Sequence, residues 1–417
     1  MGRTCRVYDV KYAFIIDTRW TAYSAILIDI SRAVRMVETS SEYLSIKITE
    51  FLMKTVGFWN PETEKERCIL NVILTYTLLA IGVALGVESL DFYYSWGDFY
   101  AITYTACSTM PVVIILIKVI LFLSRRDEIM KIIKYTHENF WYREYDAVGK
   151  HVLDEIDKKA IMLIFCAENI GKNETDRVLP FTLWLDLPST TTPYFEIIFV
   201  IQTLALIHSG VCFCCFDNFL SILCIHVAGQ FKILQHKLKS IFESNCLETS
   251  KEGVKYLQSE AVYEEFKNCV DQHRTFIRYV EKMESLFACT TLCQLMISSI
   301  MLCVAGFQVC LVRYLYHLST LHHCFIRIII FKNNTNVIVE SLAVGDAAYS
   351  SNWESSPYKL HKRFRQGLLI MMIRSRRPCY ITAGGFSPVS LETFMAVLST
   401  AASYFTLLRK LDVAYEE

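Results

Sequence analysis

Residues 69–87 read ILNVILTYTLLAIGVALGV, a run of 19 residues without a charged side chain. A helix needs roughly 20 largely apolar residues to cross the hydrocarbon core of a bilayer, because each residue adds only about 1.5 Å. Ile69–Val87 therefore predicts a transmembrane helix, which we number span 1. This run sets the class of the chain, an α-helical membrane protein.

Four further uncharged runs predict spans 2, 4, 5 and 7. They are Phe99–Ile117, which continues past Lys118 to Ser124, Ile197–Phe216, Ser285–Val312, and Thr393–Leu408 with an uncharged lead-in at Cys379–Leu391. Two weaker stretches would supply spans 3 and 6. Ala160–Ala167 is apolar for only 8 residues, and Leu311–Phe331 includes Arg313 and Arg327. A charge at the bilayer centre costs at least about 2.5–3.5 kcal/mol, so both stretches are interrupted spans.

The overall composition agrees with a membrane protein. Hydrophobic residues make up 53% of the 417 residues and charged residues only 20%, whereas soluble domains hold about 45–50% and about 25%. This balance excludes an intrinsically disordered chain. The 42 basic residues equal the 42 acidic ones in number, so bulk charge does not favour a nucleic-acid partner.

Lys and Arg are unevenly distributed between the spans. Four segments, residues 1–68, 124–160, 232–284 and 333–389, together carry 34 of the 42. The segment 88–98 carries none. Because positive residues remain on the cytoplasmic side, we predict a cytoplasmic N-terminus and an extracellular C-terminus. That topology needs an odd number of spans, and seven satisfies it only if both weak stretches cross.

Two Asn residues begin N-glycosylation acceptor tripeptides. Asn173 lies in the loop predicted to be outside, so we predict glycosylation there, although such tripeptides also occur unused. Asn333 falls on the predicted cytoplasmic side and should remain unmodified.

The chain carries no recognisable catalytic or metal-binding motif. Its 16 Cys lack the paired CxxC spacing of a zinc site, and a packing role in the spans is the simpler interpretation. The weakest span also contains a group of possible metal ligands: His317, His322, His323 and Cys324. Because adjacent His residues point to different helix faces, this group does not favour a metal site. No Walker loop, GxSxG or HExxH motif is present. We expect no metal, no cofactor and no enzymatic activity.

The run Lys359–Arg377, KLHKRFRQGLLIMMIRSRR, is basic with an apolar centre. A basic amphipathic helix can lie on the inner leaflet or bind calmodulin. The interpretation we favour is a cytoplasmic helix that packs against other helix ends with its charges solvated.

Polar and aromatic side chains in spans 2 and 4 are candidates for a ligand pocket, because each needs a partner in lipid. Gln202 and Leu206 share a helix face with Phe199, one turn earlier. Such residues can enclose a small apolar molecule, with Gln202 or a Tyr hydroxyl fixing its orientation. Ordinary packing between helices is the alternative for each of them. The candidate ligand-binding residues are Tyr100, Tyr104, Phe199, Gln202, Thr203 and Leu206.

Several stretches of the chain resemble the insect odorant receptor family. The sequence SPVSLETF at Ser387–Phe394, followed by VLSTAASYFTLLR at Val397–Arg409, looks like the family's C-terminal signature. Glu168–Phe181 and Trp184–Pro188, followed by Pro193-Tyr194-Phe195-Glu196, resemble the outer loop typical of its hymenopteran members.

The resemblance covers roughly residues 41–310 and 337–411, and it implies an odorant-receptor channel fold with seven transmembrane helices. It also implies a tuning subunit of a ligand-gated, non-selective cation channel, a heterotetramer with the odorant co-receptor. The partners implied are that co-receptor, a small hydrophobic odorant and membrane lipid. The implied location is the plasma membrane of an olfactory neuron dendrite. The last helix would form the pore, with Phe405, Thr406, Leu408 and Arg409 lining it.

These expectations divide the chain into six segments. They are the cytoplasmic N-terminal segment 1–68, transmembrane helices 1–4 with the ligand pocket at 69–231, a cytoplasmic helical anchor at 232–284, transmembrane helices 5–6 at 285–331, a second cytoplasmic anchor region at 332–389, and the pore-forming helix at 390–411. The short span 3 and residues 311–336 depart from the family pattern.

Two other kinds of seven-helix receptor are alternatives at this stage. A G-protein-coupled receptor would place the N-terminus outside, against the 10 Lys and Arg before span 1. The chain also lacks Asp-Arg-Tyr after span 3 and Asn-Pro-x-x-Tyr in the last span. A gustatory receptor-type channel would share the topology and the mechanism, and the C-terminal signature favours the olfactory branch.

Overall fold

A computed structural model describes residues 44–59, 61–97, 99–141, 194–243, 252–312, 317–351, 353 and 362–416. These residues form nine α-helices and one small hairpin. The helices are α1 (Leu44–Val56), α2 (Glu64–Tyr94), α3 (Phe99–Ser124), α4 (Arg126–Thr136, continued by a π-helical turn at His137–Trp141), α5 (Tyr194–Glu243), α6 (Glu252–Val312), α7 (His317–Tyr349), α8 (Lys362–Ser375) and α9 (Leu391–Glu416). The hairpin pairs β1 (Thr382–Ala383) with β2 (Ser387–Pro388).

Helix α2 contains span 1 and begins after the N-cap residue Thr63. The Thr63 hydroxyl accepts the Glu66 backbone N–H at 3.2 Å, which satisfies a donor that would otherwise be unpaired at the helix start. The Glu66 carboxylate accepts the N–H of Glu62, the residue before the N-cap, at 2.8 Å. The helix has two faces, each repeating every three to four residues. The buried face comprises Leu70, Leu74, Thr77, Ile81 and Glu88, and the exposed face comprises Ile69, Val72, Tyr76, Leu79 and Val83.

The other clear spans also lie in helices, two of which are far longer than predicted. Helix α3 covers the whole of span 2 from Phe99 to Ser124. Helices α5 and α6 have 50 and 61 residues, which at about 1.5 Å per residue exceeds a bilayer more than twofold. Spans 4 and 5 are therefore parts of helices that continue well beyond the membrane.

Three segments of the described residues are long and apolar enough to cross a membrane: Glu64–Tyr94, His208–Ile241 and Ala261–Val304. Shorter apolar helices cover Thr109–Ser124 and Leu391–Thr400. The predicted span 3 lies outside the described residues. The interrupted span 6 is helical from His317, within α7.

The core is built around the middle of α5, which packs on α7, α6, α3 and α1. Thirteen consecutive residues, Phe219–Phe231, are buried on every side of this helix. A cluster of Phe rings joins α5 to its neighbours. Phe122 of α3 lies 4.3 Å from Phe216 and 5.9 Å from Phe287 of α6, measured between ring centroids. Such ring pairs add about 0.5–1.5 kcal/mol each beyond area burial.

Most of the basic run forms α8, which packs against α7 and α6. Leu368 and Met371 are buried, and the Phe364 ring lies 4.4 Å from the ring of Phe266 on α6. The Arg365 and Arg376 side chains are exposed. The packing against other helices agrees with the interpretation favoured from the sequence, and the cytoplasmic location stays a prediction.

The uncharged lead-in before span 7 is not helical. Between α8 and α9 the chain forms the β1–β2 hairpin, whose turn contains Gly384 at φ +63° and Gly385 at φ +81°. A Cβ atom at Gly384 would lie 2.5 Å from Leu292 Cδ2, so only Gly allows this close contact with α6. The last span therefore starts at Leu391, and charge alone could not locate that start.

Candidate functional site

The predicted ligand-binding residues lie on two helices that pack together, α3 and α5. Gln202 is buried. The side chains of the other five, Tyr100, Tyr104, Phe199, Thr203 and Leu206, lie outside the described part of the structure. The structure thus places the helices side by side, and the pocket itself remains a prediction.

Polar contacts join α2 to the same two helices. Thr77 Oγ1 lies 2.8 Å from His208 Nε2 of α5, and the Tyr76 ring packs edge-on against the His208 ring at 5.0 Å. Near the other end of α2, Thr109 of α3 donates to the buried Glu88 carboxylate at 3.2 Å. These contacts were absent from the sequence-based site, although Glu88 directly after span 1 was a visible signal.

A buried ion pair connects α3, α5 and α6. Lys118 Nζ lies 2.6 Å from Asp217 Oδ1, and Gln294 Nε2 donates to both Asp217 oxygens at 3.0 and 2.8 Å. The ammonium group also lies 4.6 Å from the centroid of the Phe213 ring, a cation–π distance. Lys118 and Asp217 are both buried, so each charge is held by protein groups.

This pair explains why two predicted spans ended where they did. The uncharged run of span 2 stops before Lys118, and that of span 4 stops before Asp217. Each residue interrupts a hydrophobic run in its own helix, and in the folded protein the charge of each is neutralised by the charge of the other. Because breaking a buried pair leaves an uncompensated charge, the pair fixes how α3, α5 and α6 sit together.

Helix α9 carries the predicted pore-lining residues and has two unlike faces. Leu391, Phe394 and Leu398 pack against Leu292, Leu295 and Phe331 of α6 and α7. The opposite face is exposed and carries hydroxyl groups at Ser399, Thr400, Ser403 and Thr406.

The hydroxyls of this face bond to their own helix. Thr400, Ser403 and Thr406 donate to carbonyls at Ala396, Ser399 and Ser403, at 2.9, 3.0 and 2.7 Å. Of the predicted pore-lining set, Thr406 is exposed, while the side chains of Phe405, Leu408 and Arg409 lie outside the described ones. Ser399 and Ser403 are additions from the structure, and their i, i+4 spacing in an apolar helix was the available signal.

The remaining candidates from the sequence are the possible metal ligands and the two glycosylation sites. No group of three His, Cys, Asp or Glu in the described ranges could hold a metal ion. His317, His322, His323 and Cys324 belong to α7, but their side chains are outside the description. Asn173 also lies outside the described residues. Asn333 is buried in α7, which is incompatible with a glycan in the folded protein.

Comparison with known proteins identifies the family. The family model described as 7tm Odorant receptor matches residues 160–402. Odorant receptor 13a of Drosophila melanogaster is 29% identical over 210 residues, covering 46% of this chain and 48% of that protein. Odorant receptor Or2 of Anopheles gambiae is 25% identical, with 52% and 57% covered. The chain thus spans about half the length of the curated relatives it matches.

Solved structures show the same fold. The insect olfactory receptor OR5 from Machilis hrabei, in complex with eugenol, matches 88% of this chain and 97% of its own with a TM-score of 0.65 at 15% identity. A second structure of OR5 from Machilis hrabei matches with a TM-score of 0.64 at 15% identity. The all-α membrane fold, the predicted odorant-receptor class and the family match covering more than half of the chain agree, and this chain belongs to the 7tm odorant receptor family.

Proposed function

We propose that this odorant receptor is the tuning subunit of a ligand-gated, non-selective cation channel. It assembles with the odorant co-receptor as a heterotetramer in the plasma membrane of an olfactory neuron dendrite. It detects small volatile or hydrocarbon molecules. Family membership supports this function over a gustatory receptor-type channel or a G-protein-coupled receptor.

The exposed hydroxyl face of α9 is the observation that carries the channel proposal. This helix is apolar on its packed side and bears Ser399, Ser403 and Thr406 on its open side, so the open side offers hydroxyl oxygens that a lipid-facing helix does not need. Hydroxyl groups beside a water-filled path suit hydrated cations, since polar pore linings allow entry and exit. In the proposed heterotetramer, this face would form the part of a central polar path that this subunit contributes.

The ligand proposal needs only burial against apolar and aromatic side chains. A volatile with about ten heavy atoms, at roughly −1 kcal/mol per atom, can reach micromolar affinity near −8 kcal/mol. Shifting a gate from 1:99 to 99:1 needs about 5.5 kcal/mol of differential affinity between its two states. Dispersion and burial therefore suffice for detection without an ion pair. Eugenol, named as the OR5 ligand, is a molecule of this size class.

The test is co-expression with the co-receptor and current recording during exposure to a panel of volatiles and cuticular hydrocarbons. We expect at least one compound to evoke a cation current that depends on both subunits. A receptor that reaches the surface and stays silent across the panel contradicts the proposal.

Two substitutions examine the pore and the pocket separately. Ser403→Leu should reduce evoked current at unchanged surface level, whereas Ser403→Thr keeps the hydroxyl and should conduct normally. Tyr104→Ala should shift the ligand dose–response while preserving surface expression. An unchanged dose–response would count against Tyr104 as a pocket residue.

A further inference from the structure

The connector between α8 and α9 is bonded to two helices before the pore helix begins. On the α7 side, the Cys379 N–H donates to Ser341 Oγ at 3.0 Å. On the α6 side, the Gly384 N–H donates to the Ala288 carbonyl at 2.9 Å. Within the connector, the Val389 N–H donates to the Ile381 carbonyl at 2.8 Å and closes the hairpin. The base of α9 is therefore attached to the protein body.

Glu284 of α6 makes the one carboxylate contact to this connector among the described residues. One oxygen accepts the Thr382 backbone N–H at 2.5 Å, and the other accepts the Thr382 hydroxyl. The same hydroxyl oxygen accepts the Gly385 N–H at 2.8 Å, which ties the turn to the carboxylate. Hydrogen bonds to a charged group are stronger than neutral ones, so this contact anchors the hairpin.

The first turn of α9 is held by α7. Thr335 Oγ1 accepts the Leu391 N–H at 3.0 Å, which satisfies one of the unpaired donors at the helix start. The Phe331 ring lies 5.2 Å from the Phe394 ring one turn further. This contact leaves the helix start fixed while its far half presents the exposed hydroxyl face.

The part of α6 that holds the connector also contacts the helices predicted to bear the ligand pocket. Arg125, just after α3, donates to the Ser285 carbonyl, next to Glu284. Gln294 bonds to Asp217 of α5. The 11 residues from Glu284 to Gln294 thus touch α3 and α5 on one side and the pore-helix connector on another.

We infer that Glu284 and Thr382 form a latch that transmits movement of α6 to the pore helix. The inference rests on the proposed channel function and assigns both as positioning residues for gating. Ligand binding between α3 and α5 displaces α6 through Arg125 and Gln294. The latch carries that displacement into the hairpin and the base of α9. Without it, the ligand still binds but moves the pore helix less.

The test measures ligand-evoked current per surface receptor in cells that also express the co-receptor. Thr382→Val removes the hydroxyl at nearly constant volume and should lower the open–closed ratio at saturating ligand by about tenfold. Glu284→Gln should lower it less, because its amide oxygen still accepts one bond. Thr382→Ser restores the hydroxyl and should restore the current. The double variant should lose less than the sum of the two single variants, since both changes weaken the same contact.

Two matched controls lie elsewhere on α6. Thr275→Val removes a hydroxyl that bonds within its own helix, and Glu264→Gln removes a carboxylate that pairs with the exposed Lys267. Both should leave evoked current unchanged.

The outcomes separate the two proposals. Normal evoked current in both latch variants, at normal surface level, overturns the latch and leaves the channel intact. A wild-type receptor silent at the surface overturns the channel proposal and the latch with it. If Thr382→Val does not reach the surface, Glu284→Gln decides the question.

Discussion

Helix α2 and the middle of α5 are both apolar enough to cross a membrane, yet their surroundings differ sharply. Of the most apolar 18 residues in α2, only 22% are buried in the protein, whereas 88% are buried in the most apolar 18 residues within His208–Ile241 of α5. On α2 one stripe packs and the opposite stripe is open. On α5 the residues from Phe219 to Phe231 have protein on every side.

The difference teaches that hydrophobicity marks both kinds of helix without saying what surrounds them. A helix that is apolar all round is either buried or membrane-spanning, whereas a two-faced pattern separates a protein side from another side. On α2 that other side carries large apolar residues, Leu79 and Val83 among them, so its natural neighbour is lipid. The middle of α5 instead forms the protein core.

The largest effect that would sharpen this comparison is the loss of one member of the buried ion pair. Lys118→Met leaves Asp217 charged in the core and should cost about 3–5 kcal/mol. We expect little receptor at the cell surface and a lower unfolding temperature in detergent. Lys118→Met combined with Asp217→Leu should recover much of the loss, because an apolar pair of similar volume is often neutral.

A matched control is Lys134→Met, which removes an exposed pair with Glu138 at 3.9 Å. It should change surface level little, since exposed pairs contribute little. A Lys118→Met variant with wild-type surface level and stability would show that the pair does not hold the core.

The next effect tests the open side of α2. Leu79→Arg places a charge on the exposed stripe and should cost about 2.5–3.5 kcal/mol if that stripe faces lipid. On a helix that faced water, the same change would be almost neutral. Membrane insertion of the helix, measured by glycosylation mapping, distinguishes the two cases. Leu79→Ala is the size control and should insert normally.

A smaller effect on stability compares a glycine that is packed against protein, Gly57, with one on the open side of α2, Gly82. Gly57 has φ +84°, and a Cβ atom there would lie 2.7 Å from the Leu70 carbonyl oxygen, so Gly57→Ala should cost about 1–3 kcal/mol. Nothing lies within 4 Å of a Cβ atom at Gly82, in the middle of α2. Gly82→Ala should be neutral or stabilise by about 0.5–1 kcal/mol. Thermal unfolding of both variants checks the contrast, and equal shifts would contradict it.

The smallest effect involves no change in stability. Burial is the main reason why the pKa of the Cys379 thiol rises from 9.0 to about 11. At pH 8 its thiolate fraction is therefore about a hundredfold lower than that of an ordinary thiol. Maleimide should label exposed Cys68 quickly and Cys379 only after unfolding, in variants that retain one Cys each. Rapid labelling of Cys379 in the folded receptor would show that the connector opens.

Sequence patterns predicted the class of the protein and most helices because hydrophobic runs and helix formation depend on nearby residues. Span 2 was located to the residue at Phe99, and α8 was predicted from its charge pattern. The lengths of α5 and α6 were not predictable in this way, since their polar halves are stabilised by packing against other helices. The hairpin was missed because Gly384 is required by a distant side chain, Leu292.

The candidate site was less accessible to sequence analysis than the fold. Lys118 and Asp217 each looked like the end of a hydrophobic run, and only tertiary contact shows that they are partners 99 residues apart. The hydroxyls of α9 were visible, but which face they occupy depends on Phe331 and Phe394. The assignment of Tyr104 and its neighbours to a pocket stays a prediction.

The first residue of α9, Leu391, donates its N–H to Thr335, which lies in the earlier helix α7. The ribosome makes α7 before α9, so the acceptor hydroxyl and the Phe331 ring are ready before the helix that they receive. We expect α9 to pack only after the rest of the protein has folded. A half-made subunit would then expose the Phe331 ring and the Thr335 oxygen that α9 covers in the folded protein, and cellular quality control could detect that surface.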